Sequence, residues 1–386
     1  MKIAFDGQLF LGGNKTGIAW NAHNLVLELA KYPENECTIQ CFSLRRSKEK
    51  LQQLKVYEKA GCRIECCRWF HYSLYKMIWI LFPIPYRIFF RSKADITHFF
   101  NFITPPGVNS RCVAVIHDMA YKSCPQTVSR KTLNWLKMSL ERSCKYADHF
   151  ITVSEFSKME IMKYLNIRKE KITVVPNAVD SSFYHPDYTQ QQIKKVRKKL
   201  KLDERYFLYL GTIEPRKNIE RLIGAYARLC KKVKNAPQLV LAGGRGWLCE
   251  GIYKKAEELG LGNKVLFTGY IEQEDSPILM CGATAFVFPS LYEGFGMPPL
   301  EAMACGTPVI ASNTTSLPEV VGNAGILVDP LSEVELCQAM KTLLEDEKYR
   351  NRLRVLGLER AKEYTWENSG RILMGVYREL MGDRKK

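Results

Sequence analysis

Short apolar runs alternate with longer amphipathic stretches along nearly the whole chain. That is the rhythm of parallel strands buried on both faces and linked by helices. In the first half the pattern predicts strands at Ile3–Phe5, Thr38–Leu44, Ile96–Phe100, Cys112–Ile116, Phe150–Val153 and Lys171–Val175. Helices are predicted over Ala19–Ala30, Lys48–Ala60 and Arg130–Tyr146, with Ser154 capping the next one. The second half repeats the scheme, with strands at Phe207–Leu210, Gln238–Ala242, Val265–Thr268, Ala285–Pro289 and Pro308–Ile310. Its helices are predicted at Gln190–Lys201, Ile219–Leu229, Leu317–Val320 and Glu333–Leu344, and a last helix begins near Thr365. Between the halves, Pro176-Asn-Ala-Val-Asp180 with Pro186 beyond reads as a hinge. The fold class is therefore α/β, in two domains of related design.

The stretch richest in chemistry is Glu293–Glu301, Glu-Gly-Phe-Gly-Met-Pro-Pro-Leu-Glu. It follows the apolar run Ala285–Pro289 and precedes Ala302-Met-Ala-Cys-Gly306, so it reads as strand, glycine-rich loop and helix start. Pro299 suits a first turn, where no backbone N–H is needed. Such a helix start presents unpaired N–H groups and attracts anions. Glu301 is expected near the third helical position, where a carboxylate can equally serve the helix dipole. Glu293 precedes the two glycines at a strand's carboxyl end, the ligand-binding end of open α/β sheets. A second strand–loop–helix, Gly211-Thr-Ile-Glu-Pro-Arg-Lys-Asn218, sets Arg216 and Lys217 just ahead of a helix, directed at anionic oxygens or simply exposed as a surface pair.

These motifs resemble those of retaining GT-B glycosyltransferases of family 4, also called group 1. Glu-x7-Glu carrying Gly-Phe-Gly and Pro-Leu-Glu-Ala is the stronger match, and Glu214-Pro-Arg-Lys-Asn218 is similar to the family's second motif. Gly12-Gly13, Val115-Ile-His-Asp118, Thr152-Val-Ser-Glu155 and Val175-Pro-Asn-Ala178 match its habits more weakly. The resemblance implies two Rossmann-like domains facing a central cleft. Residues 1–178, completed by a C-terminal helix over 367–386, would bind the acceptor, and residues 179–366 the nucleotide-sugar donor. It implies a catalytic set of Glu293, His117, Arg216 and Lys217. The donor would further meet Gly12, Gly13, Tyr270, Ile271, Gly294, Phe295, Gly296, Met297 and Glu301, with the base near Tyr270 and Ile271 and the ribose on Glu301. No cofactor or metal is expected, because no Asp-x-Asp stands at a strand end and two cations can carry the diphosphate. Mannose from GDP-mannose is the donor suggested by similarity to polysaccharide mannosyltransferases; UDP-linked glucose, galactose and N-acetylglucosamine remain open. The acceptor would be a glycan or lipid-linked oligosaccharide. Another enzyme on the same fold, such as a sugar-nucleotide epimerase, would instead rely on His117 and Asp118.

Composition adds three points. The chain has 386 residues, 46% of them hydrophobic, which suits two cores rather than one. The formal charge of +17 calls for a partner, an anionic one, or for a solubility explanation. Nucleic acid is not expected, since zinc spacing, RNP-like aromatics and a basic zipper are missing from the sequence; a non-enzymatic anion- or membrane-binding protein stands as the alternative. Residues 69–93 are rich in aromatics flanked by Lys76, Arg87, Arg91 and Lys93, and are far short of the ~20 apolar residues a span requires. They fit either peripheral contact with an anionic membrane or a helix pair in the core. Thirteen cysteines contain no Cys-x-x-Cys; Cys62, Cys66 and Cys67 cluster near His71 without a second ligand pair to close a zinc site. The start, Met-Lys-Ile-Ala-Phe, opens into a strand without an apolar leader core, and with the free thiols it points to the cytoplasm; a membrane contact through 69–93 would put the protein at the inner face of the plasma membrane.

Overall fold

The computed structural model describes residues 1–12, 17–43 and 52–382. It divides into two compact units, Met1–Ala178 with Trp366–Lys386, and Val179–Thr365. Gly13 and residues 48–51, the start of an expected helix, lie outside the described residues; from 52 onward that helix is one short stretch, Lys55–Lys59.

The first unit is built on a seven-stranded parallel sheet of order β3-β2-β1-β4-β5-β6-β7. Its strands are β1 Lys2–Asp6, β2 Glu36–Phe42, β3 Arg63–Cys67, β4 Ile96–Phe99, β5 Arg111–Val115, β6 His149–Thr152 and β7 Ile172–Val174. The inner strands are apolar on both faces because helices cover both sides. The main helices of this unit are α1 (Gly17–Ala30), α2 (Tyr72–Leu81), α3 (Arg130–Cys144) and α4 (Glu155–Leu165). The C-terminal helix Trp366–Gly382 packs on α1 and buries Leu373, Met374 and Tyr377 in the core of this unit. The Tyr377 hydroxyl meets His98 Nδ1 at 2.5 Å, tying the last helix to β4.

Strand β3 accounts for part of the cysteine cluster. Cys66 and Cys67 are strand residues, Cys66 paired with Cys41 of β2, and all thirteen cysteines are reduced. Segment 69–93 has both buried and exposed apolar groups. Tyr75, Trp79, Tyr86, Phe89 and Phe90 are buried around Phe42 and Phe99, as a core element requires. Trp69, Leu74, Met77, Phe82 and Ile88 stay exposed. Among the described residues no helix is long and apolar enough to cross a membrane.

The second unit holds a six-stranded parallel sheet of order β10-β9-β8-β11-β12-β13. The strands are β8 Tyr206–Leu210, β9 Gln238–Ala242, β10 Val265–Gly269, β11 Ala285–Phe288, β12 Val309–Ser312 and β13 Gly325–Val328. Two helices position the chemistry: α5, Ile219–Lys232, after β8, and α6, Met297–Ala304, after β11. Both sheets reverse strand order at their centre, between β1 and β4 and between β8 and β11. Loops leaving adjacent strands diverge there and open a crevice for ligands.

Candidate active site

At the switch point of the second sheet, the loops after β8 and β11 bring three charged side chains together. β11 is Ala285-Phe-Val-Phe288, wholly buried, so the chain must turn polar at the end of the strand, and Pro289, Ser290 and Glu293 follow. After β8, Gly211 leads into a tight turn, Pro215–Lys217, that points Arg216 and Lys217 at the β11 loop. Asn218 then takes a left-handed conformation (φ 60°), which asparagine tolerates. Its amide donates to the carbonyls of Pro289 (2.9 Å) and Pro330 (2.7 Å), locking the two loops in place.

Lys217 Nζ lies 2.5 Å from Glu293 Oε1, and Arg216 Nη1 lies 3.2 Å from Oε2. Ser290 Oγ donates to Oε1 at 2.5 Å. Arg216 is braced by Glu214 (2.9 Å) and by the Tyr292 carbonyl (2.8 Å). Lys217 also sits over the Phe288 ring, 4.9 Å from its centroid. Burial alone would push the Glu293 carboxyl up, but the charges of Lys217 and Arg216 with two hydrogen bonds outweigh it and bring it down to about 2. Burial holds Lys217 below its usual range even though Glu293 and Glu214 pull it up. The cluster is thus a fixed patch of paired charge in a poorly solvated place, the arrangement that stabilises charge developing on a ligand without reorganising.

The loop between Glu293 and α6 is held from beneath. Ser316 Oγ donates to the carbonyls of Glu293 (2.9 Å) and Phe295 (2.6 Å), and Thr315 Oγ1 accepts from the Glu293 N–H (3.3 Å). Gly296 caps the helix at φ 126°, and a β-carbon there would meet Leu317 at 2.8 Å. Helix α6 starts at Met297, earlier than the sequence suggests, so Glu301 is its fifth residue and not near the third. The first-turn role at the dipole therefore falls away, because that effect fades beyond the first turn. Instead the Glu301 carboxyl is enclosed beside the Tyr184 hydroxyl, and burial pushes it up to about 7 despite that hydrogen bond. Tyr270 and Ile271 follow β10, Tyr270 exposed and Ile271 buried.

The remaining expected residues belong to the first unit. His117 follows β5, is buried, and donates from Nε2 to the Phe100 carbonyl at 2.8 Å. Burial lowers its pKa, so at neutral pH the ring is uncharged with Nδ1 unprotonated. Phe102 packs edge-on against it at 5.6 Å. Asp118 accepts from the Ala120 N–H at 3.0 Å, ordering backbone. Gly12 closes the turn after β1 and is exposed.

The family description "Glycosyl transferases group 1" matches residues 190–358, and "Glycosyltransferase Family 4" matches residues 16–183. The chain is 36% identical over 288 residues, 75% of each chain, to a protein of Escherichia coli named O-antigen chain mannosyltransferase B. The chain belongs to the group 1 glycosyltransferases. It is also 34% identical over 237 residues to the serotype-specific mannosyltransferase WbdA of Escherichia coli, covering 61% of this chain but only 29% of that longer protein. Among solved structures, HepE of Anabaena in complex with UDP and glucose superposes with a TM-score of 0.69 over 98% of this chain and all of that one, at 18% identity. That likeness establishes the GT-B fold.

In this glycosyltransferase the spacing of the motifs locates Arg216, Lys217 and Glu293 but not what holds them. Thr315, Ser316 and Tyr184 carry no recognisable pattern. Ser290 has a signal: a hydroxyl just beyond a buried strand and three residues before a buried carboxylate, which needs hydrogen bonds.

Proposed function

We propose that this glycosyltransferase transfers a hexose from a nucleotide sugar to a glycan or lipid-linked acceptor in polysaccharide synthesis, without a metal and with retention of configuration. The observation that carries this reading is the buried Arg216–Lys217–Glu293 cluster beside the start of α6. Arg216, Lys217 and the α6 N–H groups supply the positive field that a departing diphosphate needs. Glu293 holds a hydroxyl of the donor sugar and fixes both cations; with its pKa near 2 and its oxygens engaged, it is a positioning group and a poor covalent nucleophile. Glu301 receives the ribose hydroxyls, and Tyr270 with Ile271 flanks the base. The family resemblance further assigns Gly12, Gly13 and His117 to the donor. Gly294, Phe295 and Met297 shape the loop.

The names of the mannosyltransferase relatives support mannose as the transferred sugar, and GDP-mannose is the donor we propose for it. The epimerase alternative would need His117 and Asp118 as an acid–base pair, and both are engaged with backbone. The reaction belongs at the cytoplasmic face of a membrane, with 69–93 as the peripheral contact. The test is nucleotide release from a panel of GDP- and UDP-sugars in EDTA, with wild type and Glu293→Ala. Release from one donor, lost in the variant, is expected. Silence with every donor would end the reading, and a strict requirement for a divalent cation would end its metal-free part.

A further inference from the structure

The edge of the first sheet holds a pair of thiols that the proposed transfer reaction does not use. Cys41 of β2 and Cys66 of β3 are partners in the parallel register, and their sulfurs lie 3.1 Å apart. Residues paired across neighbouring strands are about 4.8 Å apart, inside the span of about 4.4–6.8 Å between Cα atoms that a disulfide bridges. Joining the sulfurs therefore asks for a small approach of side chains and no rearrangement of the sheet. The two thiols are not equivalent. Cys41 is fully buried in the core of the unit, whereas Cys66 lies on the edge strand and is half-buried. Their shared hydrogen bond favours charge on one sulfur and a proton on the other. It brings Cys66 down to about 7 against the effect of burial, with help from Arg68, and together with burial it pushes Cys41 up. A thiolate within reach of a small oxidant, backed by a thiol in contact with it, is the setting in which oxidation ends in a disulfide. A second pair, Cys37 and Cys62, shares the same kind of hydrogen bond nearer the start of the strands, but its members are enclosed, at 5% and 4% exposure. That pair has the proximity without the access.

We propose that Cys66 and Cys41 form a peroxide-reactive pair that reversibly ties the edge strand β3 to β2. In the first step the Cys66 thiolate attacks one oxygen of hydrogen peroxide. The O–O bond breaks, the other oxygen leaves as hydroxide and is protonated to water, and Cys66 becomes a sulfenic acid. In the second step the Cys41 sulfur attacks the Cys66 sulfur, the S–O bond breaks, and the hydroxyl leaves with the Cys41 proton as water. Two thiols and one peroxide thus yield one disulfide and two waters, and a dithiol reductant reverses the change. The bond closes the chain between the two positions into a loop. It also pins the outermost strand of the sheet, whose backbone is otherwise paired on one side only. The pair is independent of the transfer reaction, since neither thiol belongs to the candidate active site.

Mass spectrometry of the whole reduced protein, treated with graded hydrogen peroxide, tests the pair. The first product expected has lost two hydrogens, regains them with dithiothreitol, and carries the Cys41 and Cys66 peptides linked. Amide exchange of β3 should slow about tenfold in that product. Cys41→Ser should instead stop at a Cys66 sulfenic acid, a gain of one oxygen that dimedone captures, and Cys66→Ser should leave Cys41 reduced. The mapping on the wild type decides the matter even where a variant folds poorly. A first bond between Cys37 and Cys62, first oxidation at Cys281, or a Cys66 that stays reduced until the protein unfolds would each overturn the proposal. Unchanged exchange in β3 after oxidation would overturn the tie between the strands.

Discussion

A buried carboxylate between two cations makes opposite demands on stability and on catalysis. Glu293 has its pKa lowered from 4.5 to about 2, so its contribution is complete above the unfolded value and is lost as pH falls through the folded one. The shift corresponds to about 3 kcal/mol. Acid unfolding of the wild type should therefore show a loss of stability between about pH 4.5 and 2 that Glu293→Gln lacks, as chemical denaturation at stepped pH would reveal. Glu301 has the opposite sign. With its pKa raised to about 7, the neutral acid is favoured in the fold, and its stabilising contribution is present below pH 4.5 and lost as pH rises through about 7. If it binds ribose as a carboxylate, the KM for donor should fall as pH rises across 7 while Glu301→Gln shows a flat KM; a wild-type KM independent of pH would remove Glu301 from the ribose site. Lys217→Ala should cost about 10²–10³ in kcat, the usual loss for one fixed electrostatic donor. Turnover within a few-fold of wild type would place the diphosphate elsewhere. Both glutamates are visible in the sequence because two carboxylates framing a Gly-x-Gly loop is unusual. Their opposite protonation is not, since it depends on Lys217 arriving from 76 positions away in one case and Tyr184 in the other.

At the scale of elements, glycine contacts decide whether the two site loops can approach. Gly243, at the end of β9 with φ 143°, would place a β-carbon 1.9 Å from the Gly211 carbonyl oxygen in the loop that carries Arg216 and Lys217. Backbone cannot yield as a side-chain tip does, so Gly243→Ala should displace that loop and lower the thermal midpoint by several degrees. Gly296→Ala meets only a leucine methyl, but its φ of 126° is strained for alanine, at about 1–3 kcal/mol. Differential scanning calorimetry of the two variants should rank Gly243→Ala as the more damaging; the reverse order would mean that the α6 cap, and not the loop contact, controls this region. The interior strands are legible in the sequence because burial on both faces leaves continuous apolar runs. Of the edge strands, β7 and β10 are legible as well, but β3 and β13 are not: β3 reads Arg-Ile-Glu-Cys-Cys, polar as an exposed edge should be, and its cysteines suggest ligands before they suggest a strand. β13, Gly325–Val328, opens on a glycine after a turn and is too short to show a period.

Across the whole molecule, each unit has its own parallel sheet, and the net charge of +17 serves solubility as well as attracting anions. Phosphates of a nucleotide would engage a few of those charges. The proposed membrane contact would engage others: Trp69, Phe82 and Ile88 are each more than half exposed, with Arg87, Arg91 and Lys93 in the same segment. Their neighbours Tyr75, Trp79 and Phe89 are buried, which fixes the segment so that exposing apolar groups costs no local order. Burying each exposed aromatic or aliphatic side chain in a headgroup layer gains about 1.5–3 kcal/mol, and each basic group near an anionic surface adds about 1 kcal/mol. Cosedimentation with vesicles containing phosphatidylglycerol is therefore expected, with much weaker binding to pure phosphatidylcholine and weakening as salt is raised. Serine at Trp69, Phe82 and Ile88 should abolish most of the binding while leaving nucleotide release from the donor intact, because none of the three belongs to the donor site. Binding that ignores those replacements but competes with DNA would show the charge acting as a nonspecific polyanion surface, and would return the segment to a purely structural role.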